Sequence, residues 1–172
     1  MGRLVPVLLS RTMDLTSIEE IRQLKYRYFR SLDLKLWDDF GDCLTGDVTA
    51  RFGTKAMSEP VHQDGRAEVV AFMSENLGPE VITVHVASHP VITVDGNSAT
   101  GSWLFEDTVI ATAFGVLIRG GGYYTDRYRR DTDGSWRIAG THYDRIYESM
   151  TSLSDIPSFQ LIANMWDPEL GS

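Results

Sequence analysis

The chain predicts an α+β protein in which N-terminal helices are wrapped by a strongly curved, mostly antiparallel sheet. Two observations carry this. Up to Pro79 the apolar residues recur at helical spacing. After it they alternate, in runs separated by turn residues. The 172 residues suit one domain, read as a tail over 1–13, a domain over 14–150 and a C-terminal extension over 151–172.

Thr16-Ser-Ile-Glu19 and Ser17-Ile-Glu-Glu20 both fit a capping box. Behind them Ile18, Ile21, Leu24, Tyr28 and Leu32 predict an amphipathic helix over 17–32, with Glu20, Arg22, Gln23, Lys25 and Arg27 on its other side. A short helix from Leu36 to Leu44, a strand over 47–53 and a helix from Gly65 to Leu77 follow, the last closed by Gly78-Pro79. Ile82 to His89 alternates. Val91 to Val94, Asp95-Gly96 and the run to Ala111 read as a hairpin. Val116–Tyr128 and Trp136–Tyr147 are two further strands across an Asp131-Thr-Asp-Gly134 turn. Gly120-Gly121-Gly122 lacks phosphate-loop spacing and reads as a bend or bulge in a curved strand. The apolar Ser158–Trp166 stretch is expected to cover a pocket mouth or pack on a neighbouring subunit.

The net charge of −8, from 24 acidic and 16 basic residues, argues against nucleic acid and anionic membrane as partners. The apolar run Leu4–Leu9 is short and broken by Pro6, so it reads as a tail rather than a leader, and nothing reaches transmembrane length. The lone Cys43 forms no intrachain disulfide and fits a reducing compartment, so a cytoplasmic location is expected. Its place in the pattern Trp37, Phe40, Cys43, Leu44 makes it a core thiol.

Ionisable groups inside apolar elements are costly unless paired. Tyr28 and Asp33, His85 and His89, Asp107 and Arg145 are such groups. Each also has a plainer reading. Tyr28 suits a core aromatic and Asp33 a cap for the helix at Trp37. His85 and His89 share a strand face by parity and could form a metal pair, but no third ligand stands at a usual spacing, so no metal is expected. Either could instead be a satisfied core histidine. His62 and His142 carry no signal. Parity places Asp107 with Trp103 and Phe105, opposite Glu106. It also places Arg145 with Tyr143 and Tyr147, where a cross-strand ion pair is the simple alternative. Tyr28 and Asp33 are five residues and about 140° apart on a helical wheel. For both to enter one cavity, the helix must end or bend between them.

Five segments carry a family resemblance. They are Leu24-Lys-Tyr-Arg-Tyr-Phe-Arg-Ser-Leu-Asp33 with Trp37-Asp38, His85-Val-Ala-Ser-His-Pro90, Ala99-Thr-Gly-Ser-Trp103 with Glu106-Asp107, Tyr123-Tyr-Thr-Asp-Arg-Tyr128, and Tyr143-Asp-Arg-Ile-Tyr-Glu148. Over residues 15–148 the chain resembles the SnoaL-like, or NTF2-like, superfamily of polyketide cyclases, scytalone dehydratase and ketosteroid isomerase. Within it the chain is most similar to bacterial bile acid 7α-dehydratases. The resemblance implies a cystatin-like, cone-shaped α+β barrel with Tyr28, Asp33, His85, Asp107 and Arg145 as catalytic residues. His89, Trp103, Phe105, Tyr123 and Tyr143 would line the substrate pocket. It implies a lyase without metal or redox cofactor, removing water from a hydrophobic, steroid-like hydroxy-ketone, in a homodimer or homotrimer. His85, oriented by Asp33, would be the base; Tyr28 would hold the developing oxyanion; Asp107 would be a second orienter or alternative base. Arg145 would neutralise Asp107 or bind an anionic part of the substrate. The same scaffold serves isomerases and polyketide cyclases, and non-catalytic modules such as the β subunit of ring-hydroxylating dioxygenases. The stretch Thr108–Gly115 and the C-terminal tail depart from the pattern, which leaves the substrate open.

Overall fold

A computed structural model describes residues 13–53 and 59–170. The first helix, α1 (Leu15–Asp33), is capped by Asp14, whose carboxylate accepts from the backbone N–H and the hydroxyl of Ser17 at 3.0 and 2.7 Å. The cap therefore lies upstream of both predicted boxes. The buried stripe of α1 takes in Ile21, Leu24, Tyr28 and Leu32 as the spacing requires, and adds Lys25 and Phe29. Lys25, expected on the polar side, is completely buried. Two further helices, α2 (Trp37–Asp42) and α3 (Arg66–Asn76), complete the helical layer.

Six strands form one sheet: β1 (Leu44–Phe52), β2 (Val61–Asp64), β3 (Val81–Asp95), β4 (Ser98–Ala111), β5 (Val116–Arg130) and β6 (Trp136–Ser152), in the order β2-β1-β6-β5-β4-β3. All pairs are antiparallel except β1 with β6. The expected cone-shaped α+β architecture is present, but the sheet is open, with β2 and β3 at its edges among the described residues. The short β2 carries no alternation that sequence reading could use.

On the inner face Trp103 and Phe105 of β4 and Tyr124 and Tyr128 of β5 pack with α1 and with Phe40, Cys43 and Leu44. Two of the sheet's register shifts bear on the candidate site residues. Register shifts between Ser88 and Val91 on β3, and between Gly121 and Gly122 on β5 against β6. The extra residue at the second shift is Ile146 of β6, not one of the glycines: the triglycine run pairs with β4 without a break, so the bulge expected in its own strand lies on the strand opposite. No described helix is long and apolar enough to cross a membrane.

Candidate active site

Asp33 closes α1 and points at β3. One of its oxygens accepts from the Thr83 hydroxyl at 2.8 Å and lies 2.7 Å from His85 Nδ1. The other accepts from the His85 backbone N–H at 2.8 Å. The carboxylate thus serves β3, and α2, whose N-cap is Leu36, has no side-chain cap. A carboxylate at Nδ1 selects the tautomer protonated there and leaves Nε2 as the basic nitrogen. The ring is fixed from its flat side as well, stacked on Phe29 with centroids 5.2 Å apart and planes at 8°. The His85 side chain is 10% exposed.

Asp107 stands directly opposite His85 on the neighbouring strand. Both its oxygens accept from Arg145, at 2.9 and 2.6 Å. Arg145 Nε lies 2.8 Å from Glu148 Oε2, held by charge and proximity rather than by an aligned hydrogen bond. Burial opposes the charge on Arg145, but the Asp107 carboxylate outweighs it and moves the guanidinium pKa upward. Asp33, His85, Asp107 and Arg145 are therefore brought to one inner-face region. With its nitrogens occupied by two carboxylates, Arg145 neutralises Asp107 instead of waiting for an anionic substrate group.

Four expectations need correction. First, α1 runs unbroken from Tyr28 to Asp33, so the two residues keep their angular separation. Tyr28 packs on Phe29 and Phe40 with its hydroxyl buried and unpartnered among the described residues. Burial, then the nearby Asp126 charge, pushes its pKa well up. Tyr28 and His85 each pack on Phe29, with no described hydrogen bond joining them. Second, the β3 bulge removes His89 from the face of His85: it is exposed, at φ 49°, with Nδ1 3.0 Å from the Ser88 hydroxyl. Third, Tyr123 points outward and is 47% exposed. Fourth, the β6 bulge turns Tyr147 outward, opposite Gly121, and brings Glu148 onto the inner face beside Arg145. Tyr147 therefore does not share the face of Arg145.

Of the remaining pocket candidates, Trp103 and Phe105 are completely buried and fill the cone. Tyr143 is partly buried; its hydroxyl accepts from the Gly53 N–H at 3.2 Å and its ring sits 5.3 Å from the Arg145 guanidinium. Among the described residues, no group of three or more His, Cys, Asp or Glu is placed to hold a metal.

Sequence reading missed the most buried polar cluster. Lys25 Nζ lies 2.8 Å from Asp126 Oδ2, both side chains fully buried. Asp126 also accepts from Tyr128 and Thr141, each at 2.7 Å, and Trp103 Nε1 donates to the Tyr128 hydroxyl at 2.8 Å. The ammonium sits 3.8 Å from the Tyr124 ring centroid and 4.8 Å from those of Tyr28 and Phe29. Burial lowers the Lys25 pKa, against the opposing pull of Asp126. A signal did exist: Lys25 is four residues from both Ile21 and Phe29, and Asp126 alternates with Tyr124 and Tyr128.

A cleft of about 720 Å³ lies between the outer side of α1 and residues 133–136, away from the dyad. Another, of about 490 Å³, lies where the C-terminal segment returns, between Pro79, Glu80, Thr112 and Trp166. There Lys35, two residues beyond Asp33, donates to the Val81 carbonyl at 2.9 Å and holds its ammonium 5.4 Å from the Trp166 ring. The C-terminal segment thus packs at the corner where α1 meets β3.

A helix-filled, open cone carrying a carboxylate–imidazole dyad defines the class of fold, and the comparisons agree. A SnoaL-like domain matches residues 13–142, and the chain belongs to that family. The fold is similar to a type 2 hexachlorocyclohexane dehydrochlorinase (LinA), with TM-score 0.70 and 16% identity over 80% of this chain and 90% of that one. It is similar to a scytalone dehydratase, described as putative, from Novosphingobium aromaticivorans, with TM-score 0.69 and 17% identity over 78% and 87%. An NTF2-like protein of unknown function from Pseudomonas putida aligns with TM-score 0.60 and 18% identity over 77% and 88%.

Proposed function

We propose that this protein is a cofactor-independent lyase that removes water from a hydrophobic, polycyclic or steroid-like hydroxy-ketone. The observation that carries this is the 2.7 Å contact between His85 Nδ1 and Asp33. It orients the ring and leaves Nε2 free to take an activated C–H proton and hand it to the departing hydroxyl. Family membership and the similarity to dehydratase- and dehydrochlorinase-type structures support an elimination; the resemblance to bile acid 7α-dehydratases supports the substrate class. Tyr28 makes no described hydrogen bond to the dyad, so the oxyanion role is not assigned to it. The deciding assay incubates the protein with cyclic β-hydroxy-ketones and vinylogous hydroxy-enones and follows the product by mass. Loss of water that disappears in His85→Ala supports the reading; an unchanged mass with a moved double bond makes the protein an isomerase.

A second reading has its own observation. Trp103 and Phe105 fill the cone, as a binding or assembly module on this scaffold would have them. A substrate panel that never changes mass, whether or not its members bind, favours that reading. We further propose a homodimer or homotrimer. Val84, Val86, Tyr123 and Tyr147 are half exposed on the outer sheet face, where a neighbouring subunit would cover them.

A further inference from the structure

A side chain on Gly120 has nowhere to go. In the inner-face row His85 opposes Asp107, Asp107 opposes Gly120 and Gly120 opposes Glu148. A Cβ added to Gly120 would collide with Arg145 Nη1 and lie 3.0 Å from Asp107 Oδ1. The guanidinium therefore lies over the bare Gly120 backbone, and the Asp107 carboxylate leans over β5 towards it. The neighbouring bulge supplies the brace. A Cβ on Gly122 would collide with the Asp144 carbonyl and lie 2.7 Å from Arg145 Cα, so β6 approaches this closely only against glycine. That approach shifts the register and turns Glu148 inward against Arg145 Nε.

We propose that Gly120, Arg145 and Glu148 form a clamp that positions Asp107 over β5 and leaves the His85 ring to Asp33 alone. The proposal rests on the reading of His85 as the base. Residues opposite one another on antiparallel strands have Cβ atoms about 4.5–5.5 Å apart, so a released Asp107 carboxylate reaches the imidazole. It would then compete for a ring proton and occupy Nε2, the nitrogen a base needs. The charged groups around the ring are Asp33 from α1, Lys35 just beyond it, Asp107 from β4, and Arg145 and Glu148 from β6. Within the clamp a single cation restrains two carboxylates. Arg145 and Gly120 are positioning residues here: neither touches the imidazole, and both act through Asp107.

The test reads the imidazole itself. The ¹⁵N resonances of the His85 ring, assigned by their absence in His85→Gln, are recorded at one pH for the parent and for Gly120→Ala, Arg145→Met and the double variant. Amide spectra and near-ultraviolet circular dichroism establish folding. The clamp predicts that either single variant loses the unprotonated-Nε2 signal and that the double variant loses no more than either alone. It also predicts that adding Asp107→Asn to Gly120→Ala restores the parent pattern. Ring resonances that stay put in folded Gly120→Ala, or a change that Asp107→Asn fails to reverse, overturn it. If Gly120→Ala does not fold, Arg145→Met with and without Asp107→Asn decides the same question without adding a Cβ. No turnover enters this readout. An inert protein with a shifting ring defeats the lyase reading and keeps the clamp; an active one with an unmoved ring does the reverse.

Discussion

At the scale of single residues, Asp33 does two jobs with one carboxylate: it binds the ring nitrogen of His85 and two donors of β3. Asp33→Asn keeps the shape but removes the charge and one of the two acceptors, so kcat should fall by roughly 10²–10⁴-fold in steady-state kinetics with the fold retained. Asp33→Ala should in addition lose about 1–3 kcal/mol in urea unfolding, because donors on β3 are orphaned. Lys25 and Asp126 follow buried-pair physics. Lys25→Met alone should cost about 3–5 kcal/mol, and adding Asp126→Leu should recover only part of it, because the Tyr128 and Thr141 hydroxyls then lose their acceptor. Equal losses in the two unfolding curves would refute that coupling. Asp33 and His85 were legible as ionisable groups in apolar surroundings. Their contact was not, because it joins residues that only the docking of α1 on β3 brings together. Lys25 was hidden for the opposite reason: its neighbours Arg22, Gln23 and Arg27 made it look solvated.

At the scale of elements, alternation read correctly until a bulge intervened. It placed Trp103, Phe105 and Asp107 on one face, and they share it. It failed at His89 and Tyr147, each beside an irregularity. One inserted residue reverses every later side chain, and the glycines that permit the insertion announce a bulge without giving its register. Short α2 ends at Cys43, whose thiol burial pushes up to about 11, with Arg27 opposing. The unfolded thiol ionises near 9.0. The thiol therefore leaves stability unaffected below pH 9, and its contribution is lost as pH rises from there towards 11, because only the unfolded chain releases the proton. The expected slope is at most about 1.4 kcal/mol per pH unit. Between pH 9 and 10, urea unfolding of Cys43→Ala should lose less stability than the parent; parallel slopes would refute the assignment.

At the scale of the molecule, the order of helices before strands was enough to give an α+β cone, and the resemblance of a few segments gave the family. What the sequence withheld was closure and pairing. The parallel contact of β1 with β6 joins the start of the sheet to its end, and β2 is a four-residue edge strand without its own pattern. Assembly belongs to this scale too. Light scattering on a sizing column should find a dimer or trimer, and Val86→Lys with Tyr147→Lys should shift it to the monomer; a parent that is monomeric at every concentration removes the proposal. The placement of β3 has one more consequence. An edge strand exposes backbone donors that can template pairing with another chain. On β3 the His85 N–H points to that open edge and is taken by Asp33. The same carboxylate that holds the imidazole also covers this edge donor, so a variant lacking it should form fibres or precipitate sooner under agitation.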